Sequence, residues 1–227
     1  MSGLKEAKNI YEQGLMEQVM GRTLRPGGYK ITEEALGLCA FPKDAAILDI
    51  GCGSGATVQL LRKKYSLDAR GLDISKEMIR RGKNICSELP LVHGDAHRLP
   101  FANNELQGVF LECSFSLFSE QQRVLAEINR VLKKDGKIVI SDFYYRQRPG
   151  KTKPDIIELI EKSGFKVDIW LEKSEHLHQL VADCILNDFS LDLLWCCMLN
   201  KEENKGCTKE EIKKWKPGYF LLIASKC

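Results

Sequence analysis

The stretch Ile47-Leu48-Asp49-Ile50-Gly51-Cys52-Gly53-Ser54-Gly55-Ala56 constrains the fold more than any other part of the chain. A short apolar run ends in three alternating glycines and passes directly into Thr57-Val58-Gln59-Leu60-Leu61-Arg62. That pattern predicts a strand, a tight turn and a helix. Glycine suits such a turn because it accepts positive φ and lets a ligand approach the backbone closely. The helix beyond it presents unpaired N–H groups and the positive end of its dipole.

The same alternation continues. Strands are expected at 69–74, 91–95, 108–112 and 137–142, separated by helices at 76–87 and 119–132, with Ser75 capping the first of these and Lys134-Asp135-Gly136 forming a turn. The C-terminal third keeps the rhythm with a helix at 154–163, a strand at 165–171, a long helix at 175–198 and a last strand at 219–224. Strands alternating with helices of this length give βαβ units, a mainly parallel sheet and a doubly wound α/β fold. Ahead of it, an amphipathic helix at 4–20, a loop rich in glycine and arginine at 21–29, and a helix opening near Thr32 and ending near Cys39 are expected to form a helical cover. The 227 residues suit a single domain, read as a cap at 1–42, a cofactor-binding half at 43–145 and a C-terminal half at 146–227 that carries a substrate-side segment.

Composition narrows the partners. A formal charge of +3 is too small a bias to argue for nucleic acid, and no apolar run approaches the ~18 residues of a membrane span. Residues 1–8 hold no apolar signal core, so a cytoplasmic location is expected. Nine cysteines, an odd number in a chain of this size, point to free thiols rather than a disulfide framework.

The acids decide what the glycine turn holds. Asp73 ends the second strand, where a carboxylate accepts from both ribose hydroxyls, a device that nicotinamide dinucleotides share. Asp95 ends the third strand before Ala96, placed for an adenine amino group. Asp49, immediately before the turn, sits badly beside a pyrophosphate but suits an ammonium and a sulfonium. The implied ligand is a cationic, phosphate-free nucleoside.

Four segments in order, Asp49–Gly55, Gly71–Ser75, Gly94–Phe101 and Val131–Lys137, resemble the successive signatures of class I S-adenosylmethionine-dependent methyltransferases, most of all the small stand-alone group that includes quinone-biosynthesis enzymes. The resemblance covers residues 46–142 and implies a seven-stranded, Rossmann-like sheet with the strand at 219–224 antiparallel near its edge. It implies S-adenosylmethionine as the cofactor, with Gly51, Cys52 and Gly53 (in the turn completed by Gly55) on the methionine moiety. Asp73 and Ile74 would lie at the ribose and adenine, Asp95 and Ala96 at the adenine edge, and Glu112 and Cys113 on the methionine side. Where the family carries Phe-Asp before the fourth strand this chain has Leu106-Gln107, a position read as supporting the strand.

Methyl transfer from a sulfonium is an in-line displacement, so the protein mainly aligns donor and acceptor. Candidates for a general base are Glu112, Asp142, Tyr144 and Tyr145. Candidate acceptor contacts are Arg22, Arg25, Asp142 and a thiol group of Cys196, Cys197 and Cys207, which suits a thiol, selenol or arsenical acceptor. His97 reads as a surface or capping residue, and no metal site is expected. A small-molecule acceptor is favoured because no separate substrate domain is present. A non-catalytic cofactor-binding scaffold and an NAD-dependent oxidoreductase are the alternatives.

Overall fold

A computed structural model describes Glu12, residues 21–191, Ile212 and residues 214–227. One sheet organises them, built from β1 (Ala46–Ile50), β2 (Asp68–Asp73), β3 (Leu91–His93), β4 (Leu106–Glu112), β5 (Leu132–Tyr145), β6 (Phe165–Glu172) and β7 (Pro217–Lys226). The strand order is β3-β2-β1-β4-β5-β7-β6. The β1–β2, β1–β4, β2–β3 and β4–β5 pairs are parallel, whereas β7 runs antiparallel to both β5 and β6. The chain is therefore a doubly wound α/β fold, with the antiparallel strand one place in from the edge.

The helices are α1 (Tyr29–Cys39), α2 (Ala56–Tyr65), α3 (Lys76–Ile85), α4 (Gln121–Val131), α5 (Lys153–Lys162) and α6 (Ser174–Leu186). They cover both faces. Ile47, Phe110, Val139, Tyr219 and Leu221 form one core layer with Ile31 and Ala35 of α1, Val58 and Leu61 of α2 and Leu177 of α6. Leu48, Val109, Leu111, Ile140 and Phe220 form the other with Leu125 and Ile128 of α4 and Ile160 of α5. The two-residue period of a strand produces this sorting, because successive side chains point to opposite faces. Ser75 caps α3 by accepting from the Met78 N–H, and Thr152 and Asp155 form a capping box on α5. Gln107 accepts a hydrogen bond from the Ala46 N–H at 2.9 Å, which ties the start of β1 to β4.

Three boundaries differ from the sequence expectation. Helix α1 opens at Tyr29, not Thr32, since Gly27 and Gly28 at positive φ already turn the chain into it; Thr32 lies within the helix, fully buried. Strand β5 begins at Leu132, so the turn expected at 134–136 is an irregularity within it, with Asp135 at positive φ and the pairing to β4 resuming at Lys137. The helix expected to run from 175 to 198 ends at Leu186, with Asp188 at positive φ immediately after it. Residues 192–198 of that span, and the helix expected at 4–20 apart from Glu12, lie outside the described residues. Among the described residues no helix is long and apolar enough to cross a membrane.

Candidate active site

The carboxyl ends of β1, β2, β3 and β4 open into a cavity of about 730 Å³. In a sheet of this topology a crevice forms where strand order reverses, here between β1 and β4. The glycine turn is its floor. Gly51, Gly53 and Gly55 all adopt positive φ. At Gly51 a Cβ would lie 2.5 Å from the Ser114 Cβ, so the turn and the β4 end approach too closely for any side chain. The Gly51 and Cys52 N–H groups both donate to the Leu72 carbonyl, which holds the turn against β2.

Asp73 locks the next turn to the first. Its carboxylate accepts from the Gly53 N–H and from the Ser75 N–H, each at 2.8 Å. Asp95 accepts from the His97 N–H at 2.9 Å and lies 2.7 Å from His97 Nδ1. Those contacts, the backbone one foremost, hold the Asp95 carboxyl below its ordinary range. His97 is thus part of the cavity wall, with Phe118 edge-on to its ring.

The β4 end carries a buried polar network. Glu112 accepts from Thr32 and from Thr57, both at 2.7 Å, and its Oε2 lies 2.8 Å from Arg25 Nη2. Arg25 also donates to the hydroxyls of Thr32 and Thr57 and to the Thr23 carbonyl. Its side chain is 4% exposed and that of Glu112 is 3% exposed, so the pair is dry. Arg25 therefore is neither an ordinary solvated loop residue nor free for an acceptor: it fastens the segment before α1 to the cavity floor. Asp49 lies beside this pair. Burial raises its carboxyl well above the usual range, the charges of Glu112 and Asp73 add to the rise, and Arg25 opposes it.

Of the residues expected at the cofactor, Asp49, Gly51, Cys52, Gly53, Asp73, Ile74, Asp95, Ala96, Glu112 and Cys113 line the cavity together. Gly55 does not; it is the N-cap of α2, behind the wall. Arg22 and Arg25 line it from the N-terminal side. Asp142 and Tyr144 do not reach it. Both lie on the β5 face that carries Ile138 and Ile140, turned toward the second core layer. Asp142 is fully buried, accepts from the Ser116 N–H and hydroxyl and from the Phe143 N–H, and is pushed by burial up to about 6. The Tyr144 hydroxyl donates to Glu172, and burial together with that carboxylate raises it to about 12. Tyr145 is likewise buried, edge-on to Trp215. Asp142, Tyr144 and Tyr145 are set aside as bases for chemistry in this cavity.

Cys39, Cys52, Cys86, Cys113, Cys184 and Cys227 are free thiols. Cys52 and Cys113 line the cavity, and burial raises both thiols well above their ordinary range. Cys113 contacts the Tyr219 hydroxyl at 3.3 Å. Cys196, Cys197 and Cys207 lie outside the described residues. Thr32, Thr57 and Ser114 also belong to the site, although nothing in the sequence marks the two threonines as more than helix residues. Only Ser114 had a local signal, two residues past an acid at a strand end; its hydroxyl donates to the Ile50 carbonyl and holds the β1 and β4 ends together.

Residues 48–140 match a family model described as a methyltransferase domain. The matched span contains the glycine turn, all four acids and the crossovers between them. Over these residues the chain is similar to methyltransferase domains. The chain is similar to the demethylmenaquinone methyltransferase of Thermotoga maritima, 36% identical over 95 residues, which are 41% of this chain and 42% of that protein. The chain spans about half the length of the curated relatives it matches. Among solved structures it resembles the cyclase SpnF, with a TM-score of 0.75 and 17% identity over 100% of this chain and 96% of that one. It also resembles phosphoethanolamine N-methyltransferase 2 of Haemonchus contortus in complex with S-adenosyl-L-methionine, with a TM-score of 0.73 and 18% identity over 97% of this chain and 57% of that one. These two likenesses concern the fold alone.

Proposed function

We propose that the protein transfers a methyl group from S-adenosylmethionine to a small-molecule acceptor. The observation that carries this reading is the ring of acids around the glycine turn. At the strand ends Asp49, Asp73, Asp95 and Glu112 form the cavity floor and Arg25 neutralises only Glu112, whereas Arg22, Arg98 and Arg123 line the cavity from the segment before α1, the turn after β3 and α4. Such a floor repels a pyrophosphate and suits a ligand bearing an ammonium and a sulfonium. Asp49 supports it further, because a buried acid that resists ionisation when alone ionises readily once a cation sits beside it. The cavity size is that of a small-molecule site, large enough for a nucleoside cofactor with room beside it.

In this reading Asp73 accepts from the ribose hydroxyls, its carboxylate already oriented by two backbone donors. Asp95 and the backbone at Ala96 read the adenine edge, and the methionyl end lies over Gly51–Gly53 toward Glu112 and Cys113. Glu112 is held in place by a guanidinium and two hydroxyls, so it positions rather than abstracts protons. The acceptor then brings its own nucleophilic lone pair or an acidic hydrogen, and the protein contributes alignment and exclusion of water. A carbon, nitrogen, oxygen or sulfur nucleophile meets that requirement, a thiol among them, and so do the selenium of a selenol and the lone pair of a trivalent arsenical.

Transfer of labelled methyl from S-adenosylmethionine to a panel comprising a quinol, a phenol, an alkylamine, a thiol and arsenite tests the proposal. Methylated product in one class assigns the acceptor. Tight cofactor binding with no product across the panel replaces catalysis by a non-catalytic scaffold.

A further inference from the structure

We propose that Asp142 is a positioning residue of the cavity, which from β5 caps a short helical turn that walls the nucleoside end; the role rests on reading the cavity as an S-adenosylmethionine site. Asp142 does not reach the cavity and is fully buried. A carboxylate in such a place is costly unless donors surround it. The Ser116 N–H donates to Oδ2 and the Ser116 hydroxyl to Oδ1, each at 2.8 Å, and the Phe143 N–H donates to Oδ1 at 2.7 Å. Two of these donors belong to one residue outside β5.

Ser116 is the middle residue of a single helical turn, Phe115–Leu117, that follows β4. Ser114 precedes the turn but gives it no side-chain cap, because its hydroxyl donates to the Ile50 carbonyl. A helical turn without a cap leaves its first N–H groups unpaired. Asp142 supplies the missing acceptor from a different strand. On the other side of Ser116, the Phe115 ring is packed in the second core layer and the Phe115 carbonyl accepts from the Gln121 amide at 2.9 Å.

The capped turn carries a wall of the cavity. Leu117, Phe118 and Ser119 all line it. The Phe118 ring stands edge-on to His97 with centroids 6.3 Å apart, and His97 is the residue that contacts Asp95. This wall therefore belongs to the Asp95 end, where the adenine edge lies in the proposed reading. Leu117 and Phe118 follow Ser116 immediately, so loosening the turn displaces them before any other part of the cavity. Tyr144, two residues along the same face of β5, makes its contacts instead with Glu172, Trp170 and Phe220.

Calorimetric titration of the full chain with S-adenosylhomocysteine tests this role. Asp142→Asn keeps the shape but turns an amide donor toward backbone donors, and is expected to weaken binding roughly 10- to 30-fold. Ser116→Ala removes one hydroxyl and leaves Asp142 in place, for a loss of roughly threefold. Tyr144→Phe, a change at an equally buried neighbour outside the clamp, should stay within about twofold of wild type. The decisive comparison is a cycle with Phe118→Ala, which removes part of the wall itself. With Phe118 gone, Asp142→Asn should cost no more than about threefold further, because it acts through that side chain. An acid that merely stabilised the fold would give losses that multiply.

Wild-type affinity in Asp142→Asn and Ser116→Ala, multiplying losses in the cycle, or an equal loss in Tyr144→Phe overturns the role. Should Asp142→Asn fail to fold, Ser116→Ala and its own cycle with Phe118→Ala decide it by the same criteria. A wild-type protein that binds no S-adenosylhomocysteine instead overturns the reading of the cavity.

Discussion

Replacing Arg25 by methionine isolates the polar network that seats the N-terminal cover on the cavity floor. The substitution keeps most of the side-chain volume and removes the charge. Glu112 is then left in a site where its side chain is 3% exposed, with Asp49 close enough for the two carboxyl groups to repel. The hydrogen bonds from Arg25 to Thr32, Thr57 and Thr23 go with it. Removing one partner of a buried ion pair costs about 3–5 kcal/mol, chiefly because the remaining charge is uncompensated. A domain of this kind has about 5–15 kcal/mol in all, so the loss is a large fraction of its stability. In urea, with a slope of about 2–3 kcal/mol per molar, the midpoint should fall by roughly 1–2 M. The double variant Arg25→Met with Glu112→Leu removes both charges and should regain at least half of the loss. An Arg25→Met variant within about 1 kcal/mol of wild type, or a double variant no more stable than the single, would refute the account of this network.

Gly51→Ala should abolish cofactor binding and lower stability by about 1–3 kcal/mol, because the added Cβ meets the Ser114 Cβ at 2.5 Å at a φ of +76°; normal binding by this variant would remove the turn from the site. Asp142, with a native value of about 6 against 3.8, stabilises the fold fully below pH ~4 and loses that contribution as pH rises through 6. At ~1.4 kcal/mol per pH unit the interval is worth about 3 kcal/mol, so urea midpoints of Asp142→Asn should lack the fall between pH 4 and 6 that wild type shows. Tyr144→Phe should lose about 1 kcal/mol of stability with the Glu172 hydrogen bond while cofactor affinity is unchanged; a weaker cofactor would return Tyr144 to the site.

The framework was legible in the sequence because it depends on local patterns. The strand, glycine turn and helix at 47–62 announce themselves, and Asp49, Asp73, Asp95 and Glu112 all stand at or just past the carboxyl end of a strand. What the sequence hid were consequences of direction and long-range contact. Asp142 and Tyr144 stand at the carboxyl end of β5, where acceptors approach in folds of this type, yet their even numbering puts them on the face of Ile138 and Ile140. Counting parity from Val139 and Phe143, which belong to the first core layer, would have turned them away from the cavity. Thr32 looked like a helix cap because a hydroxyl followed by acids usually is one, but the paired glycines at 27 and 28 start the helix a turn earlier. That shift delivers Thr32 to Glu112, 80 residues away, a contact that no local pattern encodes. The burial of Arg25 has the same origin, since its counter-ion lies at the far end of β4.

The central claim is that the acids around the glycine turn select a cationic, phosphate-free nucleoside. Direct calorimetric titration of the purified chain with S-adenosylmethionine, alongside NAD, tests it most plainly. One S-adenosylmethionine bound per chain, with no heat from NAD at the same concentrations and a sharp loss of affinity in Asp73→Ala, is the predicted result. Binding of NAD with none of S-adenosylmethionine would contradict it.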